Sequence, residues 1–430
     1  MNKQTVANER IGESYRKIKH PSGLTVYLYP MKGFVTSYAV MGTRYGSVDC
    51  RFKTGRDEDF VTVPNGIAHY LEHKLFENED CDAFARFAKT GASANAFTSF
   101  DRTCYLFSAS SRLPENLEIL LDFVTSPYFT PETVEKERGI ITQEIRMYDD
   151  NPDWRVFFNL LSALYHVNPV KIDIAGTAES IQKIDAPLLY RCYNTFYNLN
   201  NMALAVAGNF SEEEVLAVCD RVLKKAEDIM VESVPPKEPE LPVKQYAEQK
   251  LPVSLPMFHI GFKETPWDEG GFGEQKGMSY AHSCAEVFLE IFCGEASPLY
   301  RELYDQNLIN ASFGSELMMG RGYSCFIFAG ESKDPKAVYS RILSALEDYR
   351  RKGIDPEEFE TARKAVYGRI VRGYNNIEST ANGLVLSHFY GITLFSSLES
   401  VSAMTLDDVN ALLKTCLKRE RGALSVILPA

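Results

Sequence analysis

The sequence has no CxxC pair, no long apolar run and no basic stripe, and each absence excludes something. Its nine cysteines are odd in number and scattered from Cys50 to Cys416. Without CxxC spacing they suit reduced thiols better than a disulfide framework or a cysteine zinc site. No stretch reaches the roughly 18 apolar residues of a membrane-spanning helix. The polar opening MNKQTVANERIGESYRKIKH lacks the apolar core of a secretory signal. A cytoplasmic protein without a membrane partner is the expectation. Lysine and arginine number 46 against 58 acidic residues, for a net charge of -12. No basic stripe breaks that mixture, so nucleic acid is not an expected partner. Basic peptides would suit an acidic chain better.

What is present is the composition of a globular protein: 430 residues, 45% hydrophobic and 24% charged. That length exceeds one ordinary core, so two domains are expected. The clearest break is AEDIMVESVPPKEPELPVKQYAEQKLP, with Pro235, Pro236, Pro239, Pro242 and Pro252, many charges and little periodicity. It reads as an extended connection. The expected division is an N-terminal domain over 1–228, a linker over 229–252 and a C-terminal domain over 253–430. The two halves echo one another. Strand-like SYAVMGTRYGSVD and MFHIGFKE are each followed by an apolar helical segment, GIAHYLEHKLFE and SYAHSCAEVFLEIF. Next come Gly/Ser-punctuated β stretches, two long helical patterns and a closing apolar strand, NMALAVAGNF or GALSVILP. Without strict βαβ alternation, the expected class is α+β: two homologous domains, each a mostly antiparallel sheet packed with helices on one face.

Within GIAHYLEHKLFE, five positions hold His69, Glu72 and His73. Pro64 and Asn65 suggest a helix start with Asn65 as N-cap. At about 100° per residue, Ile67, Leu71 and Leu75 fall on one face. His69 and His73 lie one turn apart on the opposite face, with Glu72 beside them. Two imidazoles at i, i+4 can bind one zinc ion, and the carboxylate between them can reach a water on it. The bland alternative is a solvated helix face that happens to carry two histidines. A catalytic zinc needs a third ligand. The helix expected from TPET, with Thr130 as N-cap and Pro131 at its first position, offers Glu137 and Glu144. They lie two turns apart beside an inward stripe of Val134, Arg138, Ile141, Ile145 and Tyr148. On their own these glutamates read more simply as surface groups paired with Arg138 or Arg146.

Together, HYLEH and the ERGIITQE about 70 residues later resemble the inverted-motif zinc peptidases, the inverzincins. This is the family of pitrilysin, insulin-degrading enzyme and the mitochondrial processing peptidase. The likeness covers the whole chain, and its length fits the short bacterial two-domain members. By that resemblance, one zinc ion per chain is held by His69, His73 and Glu144. Glu72 is then the general base, and Glu137 supports the site. GASANAFTSFDRTCYLF resembles the family's active-site edge strand, placing an extended peptide beside Ala94, Asn95, Ala96 and Phe97. NPDWRVFFNLL and VNPVKIDIAGTAESIQKI resemble the segments that follow.

The implied function is zinc-dependent hydrolysis of extended oligopeptides or small unfolded segments. The rival readings are a peptide-binding or scaffolding subunit with a little-used zinc site, and a dedicated maturation protease for one peptide. In the second half, His282 and Glu286 stand where the zinc helix should repeat, but no second histidine accompanies them, so the segment reads as a core helix. His166, His259 and His388 have no motif around them and read as structural.

One departure from the family bears on partners. Active members carry a second-half segment like S-x-L-x-x-x-L-R-x-x-x-x-L-x-Y, whose Arg and Tyr help orient the substrate. Here SPLYRELYDQNLINA places Tyr304 and Ala311 at those positions. Arg301 lies three residues before the Arg position, turned by about 60° and displaced by about 4.5 Å along a helix. The expectation is therefore a heterodimer in which a homologous non-catalytic partner supplies the missing pair, or a homodimer. Arg301 is the substitute to test.

Overall fold

The computed structural model describes residues 2–79 and 82–430. They fall into two compact units, each gathered from three stretches of chain. Met1–Ile145, Asp173–Val234 and Arg372–Leu394 make the first; Arg146–Ile172, Pro235–Val371 and Phe395–Ala430 make the second.

The first unit holds β1 (Asn2–Asn8), β2 (Glu13–Lys19), β3 (Thr25–Pro30), β4 (Ser37–Thr43), β5 (Arg51–Thr54), β6 (Val61–Thr62), β7 (Ser93–Thr98), β8 (Thr103–Ala109), β9 (Met202–Gly208) and β10 (Val231–Ser233). A seven-stranded sheet runs β1-β2-β3-β9-β4-β8-β7, antiparallel except where β3 pairs with β9, and β10-β5-β6 form a small separate sheet. The second unit holds β11 (Tyr246–Leu251), β12 (Met257–Lys263), β13 (Gly314–Gly320), β14 (Tyr323–Glu331) and β15 (Gly422–Pro429). Their order is β11-β15-β12-β14-β13, antiparallel apart from β11 with β15. The run β3-β9-β4-β8-β7 repeats as β11-β15-β12-β14-β13, parallel pair included. The echo of the two halves is therefore a repeat of topology, and the class is α+β with mostly antiparallel sheets.

The apolar runs MALAVAG and GALSVIL occupy the middle of each sheet as β9 and β15, buried almost throughout because both faces are covered. One face meets helices of the same half. Tyr105 and Phe107 of β8 pack on Phe123 and Phe87. Phe258, Ile260 and Phe262 of β12 join Phe288, Phe292, Ile342 and Leu346 in one core.

The opposite face meets a helix from the other half of the sequence. Side chains alternate along a strand, so Tyr38 and Gly42 of β4 look away from that first face, toward the helix Ile377–Phe389. Asn382 donates to the Tyr38 hydroxyl at 3.0 Å. In the second unit the helix Pro152–Leu164 lies over β11, β12 and β15. The sequence carries no sign of this exchange, because nothing within either helix tells which sheet it will cover. Nor does it mark β11, which falls inside the stretch read as an extended connection. Only Ala247 of that strand is buried, so it lacks the apolar alternation that announces a strand.

Among the described residues, every cysteine is a free thiol. No helix among them is long and apolar enough to cross a membrane.

The exchanged helices approach their sheets over glycine. A Cβ on Gly42 would stand 2.7 Å from Val385 Cγ1, and one on Gly261 would stand 2.8 Å from Leu164 Cδ1. Overpacking of this kind costs about 1–3 kcal/mol. Gly42→Ala should lower the urea midpoint more than Gly261→Ala. The branched Val385 has one favoured rotamer in a helix, whereas the ends of Leu160 and Leu164 can turn aside. Equal midpoints for both variants and the parent would contradict this packing.

Candidate metal centre

The helix that carries the two histidines spans Ile67–Leu75. Its N-cap is Gly66, in the left-handed region at φ +88, rather than Asn65 as the sequence suggested. The reason is close packing: a Cβ on Gly66 would fall 2.4 Å from the Ala175 carbonyl oxygen. Asn65 acts one residue earlier. Its side chain accepts from the Cys50 thiol at 3.2 Å, and its carbonyl accepts from Ser180 at 2.8 Å. Ile67, Leu71 and Leu75 are buried as expected. So are Tyr70 and Lys74, His69 at 7% exposure and Glu72 at 9%. A solvated face that happens to carry two histidines is thereby excluded.

The second helix spans Pro131–Asp149, and Thr130 caps it by accepting from the Thr133 N–H at 3.2 Å. Val134, Ile141 and Ile145 are its buried stripe. The Tyr70 hydroxyl donates to the Val134 carbonyl and ties the two helices together. Arg138 binds Glu135 and the Ile184 carbonyl, so the simpler pairing of Glu137 or Glu144 with Arg138 is not formed. Both glutamates turn instead toward the histidines.

His73 Nδ1 lies 2.9 Å from Glu137 Oε1, and its Nε2 lies 3.3 Å from Glu144 Oε2. His69 Nε2 lies 3.6 Å from Glu144 Oε1. The ligand atoms of His69, His73 and Glu144 all fall within 4.8 Å of one another, and no other group of this kind occurs among the described residues. Burial alone would lower the pKa of His73. The hydrogen bonds to Glu137 and Glu144, with the charges of Glu72 and Glu144, push it up to about 10. His69 Nδ1 is buried without a hydrogen-bond partner.

These features fit a metal. Two imidazoles and one carboxylate form a zinc donor set. A carboxylate on the far nitrogen of a ligating histidine fixes its tautomer and orientation. The strongly raised His73 pKa marks a place where positive charge is wanted.

Beside this cluster, Glu72 accepts a hydrogen bond of 2.6 Å from the Thr98 hydroxyl. Thr98 ends β7, the edge strand of its sheet. A cleft of about 480 Å³ opens there, lined by Glu72, His73, Phe76, Asn95, Ala96 and Ile140 among others. The Ala96 N–H donates to the side chain of Asn95 at 2.9 Å. Thr98, Tyr70 and Gly66 all escaped the sequence reading. Nothing local distinguishes Thr98 from any β-branched strand residue; only the folded neighbourhood sets it against Glu72.

The other four histidines considered from the sequence have different surroundings. His282 stands 3.9 Å from Glu286, both partly exposed on the helix Met278–Cys293. His388 meets the Tyr27 hydroxyl at 3.0 Å and His166 meets the Leu241 carbonyl at 3.2 Å. Burial pushes both His259 and His388 down to about 4. Arg301 is exposed on the helix Pro298–Asp305 of the second unit, and Tyr304 is 51% exposed. Leu299, Leu303 and Ile309 hold the buried positions.

A repeated α+β unit, one copy of which sets two helices around a His/His/Glu cluster, defines the two-domain scaffold of the inverted-motif zinc peptidases. The comparisons agree. Residues 58–178, which contain the whole cluster, match the family described as Insulinase (Peptidase family M16). Residues 183–366 match Peptidase M16 inactive domain. The chain is 40% identical over 429 residues to the Bacillus subtilis (strain 168) protein named uncharacterized zinc protease YmfH, with 98% of each chain covered. It superposes on the crystal structure of an M16-like peptidase from Alicyclobacillus acidocaldarius with a TM-score of 0.91 at 33% identity, covering 100% and 99% of the two chains. A protease from Helicobacter pylori shares the fold at a TM-score of 0.80 and 19% identity, over 96% and 99%. The chain belongs to peptidase family M16, and to its short bacterial two-domain type.

Two expectations follow for metal binding. Glu137→Gln should weaken zinc affinity by about 10- to 100-fold, the usual cost of losing an outer partner, and Glu144→Gln should weaken it more. Metal competition titrations would measure both. At neutral pH, zinc should displace about one proton, since His73 must surrender its own to become a ligand. Affinity therefore falls as pH is lowered. Calorimetry in two buffers of different ionisation enthalpy counts the proton, and a count of zero would contradict the raised pKa.

Proposed function

We propose that this chain is a zinc metalloendopeptidase that hydrolyses extended oligopeptides or small unfolded segments, with one Zn2+ per chain held by His69, His73 and Glu144. The observation that carries the reading is the convergence of these three side chains within 4.8 Å, next to a buried Glu72 at the mouth of a cleft. Bound there, zinc would supply Lewis acidity, lowering the pKa of water and drawing electron density from a carbonyl.

The rest falls to the chain's own residues. Glu137 holds His73 in the tautomer that presents Nε2. Glu72 accepts the proton of the attacking water and returns it to the leaving amine. The peptide lies along β7 beside Ala94, Asn95, Ala96 and Phe97, adding as a strand so that main-chain hydrogen bonds supply sequence-tolerant affinity. The free edge of β7 supports this, and the Asn95 side chain, which bonds the Ala96 N–H, gives way as the peptide docks. The free thiols suit the cytoplasm.

Tyr304 and Ala311, at the positions where Arg and Tyr orient substrate in related enzymes, support a further element of the proposal. The chain works as the catalytic subunit of a pair, with a homologous partner that lacks the histidine motif.

Three measurements test this reading. Glu72→Gln should keep its metal and lose about 10²- to 10⁴-fold in hydrolysis, because a neutral amide cannot take the proton; full residual activity would remove Glu72 from that role. A peptide bound to Glu72→Gln should run antiparallel to β7 in a crystal structure, and a peptide held by helices alone would refute strand addition. A mixed peptide library should be cut poorly by the isolated chain and well once the partner is added. Turnover by the isolated chain at about 1–10³ s⁻¹ would dispose of the partner. If Arg301→Ala abolished that turnover, Arg301 would be the substitute.

A further inference from the structure

Thr98 stands where two systems meet. On one side its hydroxyl donates to Glu72 Oε2 at 2.6 Å, in a place where Glu72 is 9% exposed. On the other it closes β7, the strand whose outer edge faces the cleft. The turn that follows is held from several directions. Ser99 N–H donates to the Arg102 carbonyl at 2.8 Å. The N–H groups of Ser47 and Val48 donate to the carbonyls of Ser99 and Phe100 at 3.1 and 3.0 Å. That approach is close enough that a Cβ on Gly46 would fall 2.3 Å from the Phe100 oxygen. From the exchanged helix's end, the Tyr390 hydroxyl donates to Asp101 at 2.5 Å, and Asp101 also binds Arg102. The hydroxyl of Thr103, across the hairpin and 3.4 Å from that of Thr98, donates to the Tyr45 carbonyl at 2.9 Å, so the Thr98 proton is left for Glu72. The backbone at Thr98 is thus fixed, and its β-branched side chain has few rotamers to choose from.

A carboxylate acting as a base must present one oxygen to the water it deprotonates. A free glutamate side chain turns about three torsions, and misplacement of a reacting group by about 1 Å can cost about 100-fold in rate. The geometry points to Thr98 as the positioning residue for Glu72. By engaging Oε2, it leaves Oε1 as the oxygen that takes the proton. The same strand receives the peptide, so one rigid element would set both the substrate's line and the base's aim. This inference rests on the reading of Glu72 as general base.

The test uses the full chain, with its partner if the partner proves necessary. Thr98→Ser keeps the hydroxyl and should retain kcat within about threefold. Thr98→Val keeps the shape, removes the donor, and should lose about 10- to 100-fold in kcat with KM within twofold and metal content unchanged. Equal losses in both variants, or a loss in Thr98→Val carried wholly by KM, would overturn the positioning role. Crystal structures of parent and Thr98→Val give a readout free of activity. The Glu72 carboxylate should be pinned in the parent and rotated or split in the variant. An unmoved carboxylate would overturn the inference even if the enzyme slowed. Should the parent cut no peptide under any condition, the peptidase reading falls, and the crystallographic comparison still decides whether Thr98 holds Glu72.

Discussion

Two imidazoles and three carboxylates converge on one half-buried place, and the first unit is built around the need to put positive charge there. Unit charges about 4 Å apart interact by about 4 kcal/mol at an effective dielectric near 20, several times the roughly 1 kcal/mol of an ordinary hydrogen bond. Without a cation, His73 answers the need by holding a proton far above its usual range. With one, His69, His73 and Glu144 would offer it a donor set. Everything that fixes the geometry serves that exchange. Gly66 lets the helix start against the 175–176 segment, Tyr70 pins it to the second helix, and Glu137 aims the His73 ring.

The second unit shows the same scaffold without a histidine pair. Its helix Met278–Cys293 and its edge strand β13 stand in the topological places of the histidine helix and β7. A cleft of about 690 Å³ lies between them, lined by His282, Glu286, Glu290, Glu316 and Arg369. Arg369 binds Glu290 at 2.9 Å. It sits on the helix Pro356–Gly373, which follows in the order of elements as Pro131–Asp149 does in the first unit. Where one copy turns glutamates toward two histidines, the other presents its own guanidinium to a glutamate. The Arg369 side chain is the source of positive charge there, and residues 183–366, which include Glu290, match Peptidase M16 inactive domain.

The contrast also explains what could be read from sequence. Local rules gave the central strands β4, β9, β12 and β15, the Thr130 cap and Val134, Ile141 and Ile145 of the inward stripe, because each rests on neighbours within a few residues. The i, i+4 histidines were legible for the same reason. The glutamates were not: Glu137 and Glu144 look like surface residues until the two helices are brought together, and only the family resemblance gave them separate expected roles. Asn65 lost the N-cap to Gly66 because a segment more than 100 residues away presses on that turn. Thr98, β11 and the exchanged helices share this cause. Each is defined by a partner distant in the chain, and periodicity cannot report a distant partner.

The exchange of helices has a bearing on the order of events in the cell. The face of the first sheet that carries Tyr38 and Gly42 is closed by residues 377–389, and Tyr390 then ties down the turn that ends beside Thr98. A ribosome meets the histidine helix early and this closing segment late. For most of synthesis the clustered histidines and glutamates exist without the frame that aligns them. The nascent chain thus carries the parts of this cluster in disassembled form, and the frame closes around them only when nearly all of the protein has been made.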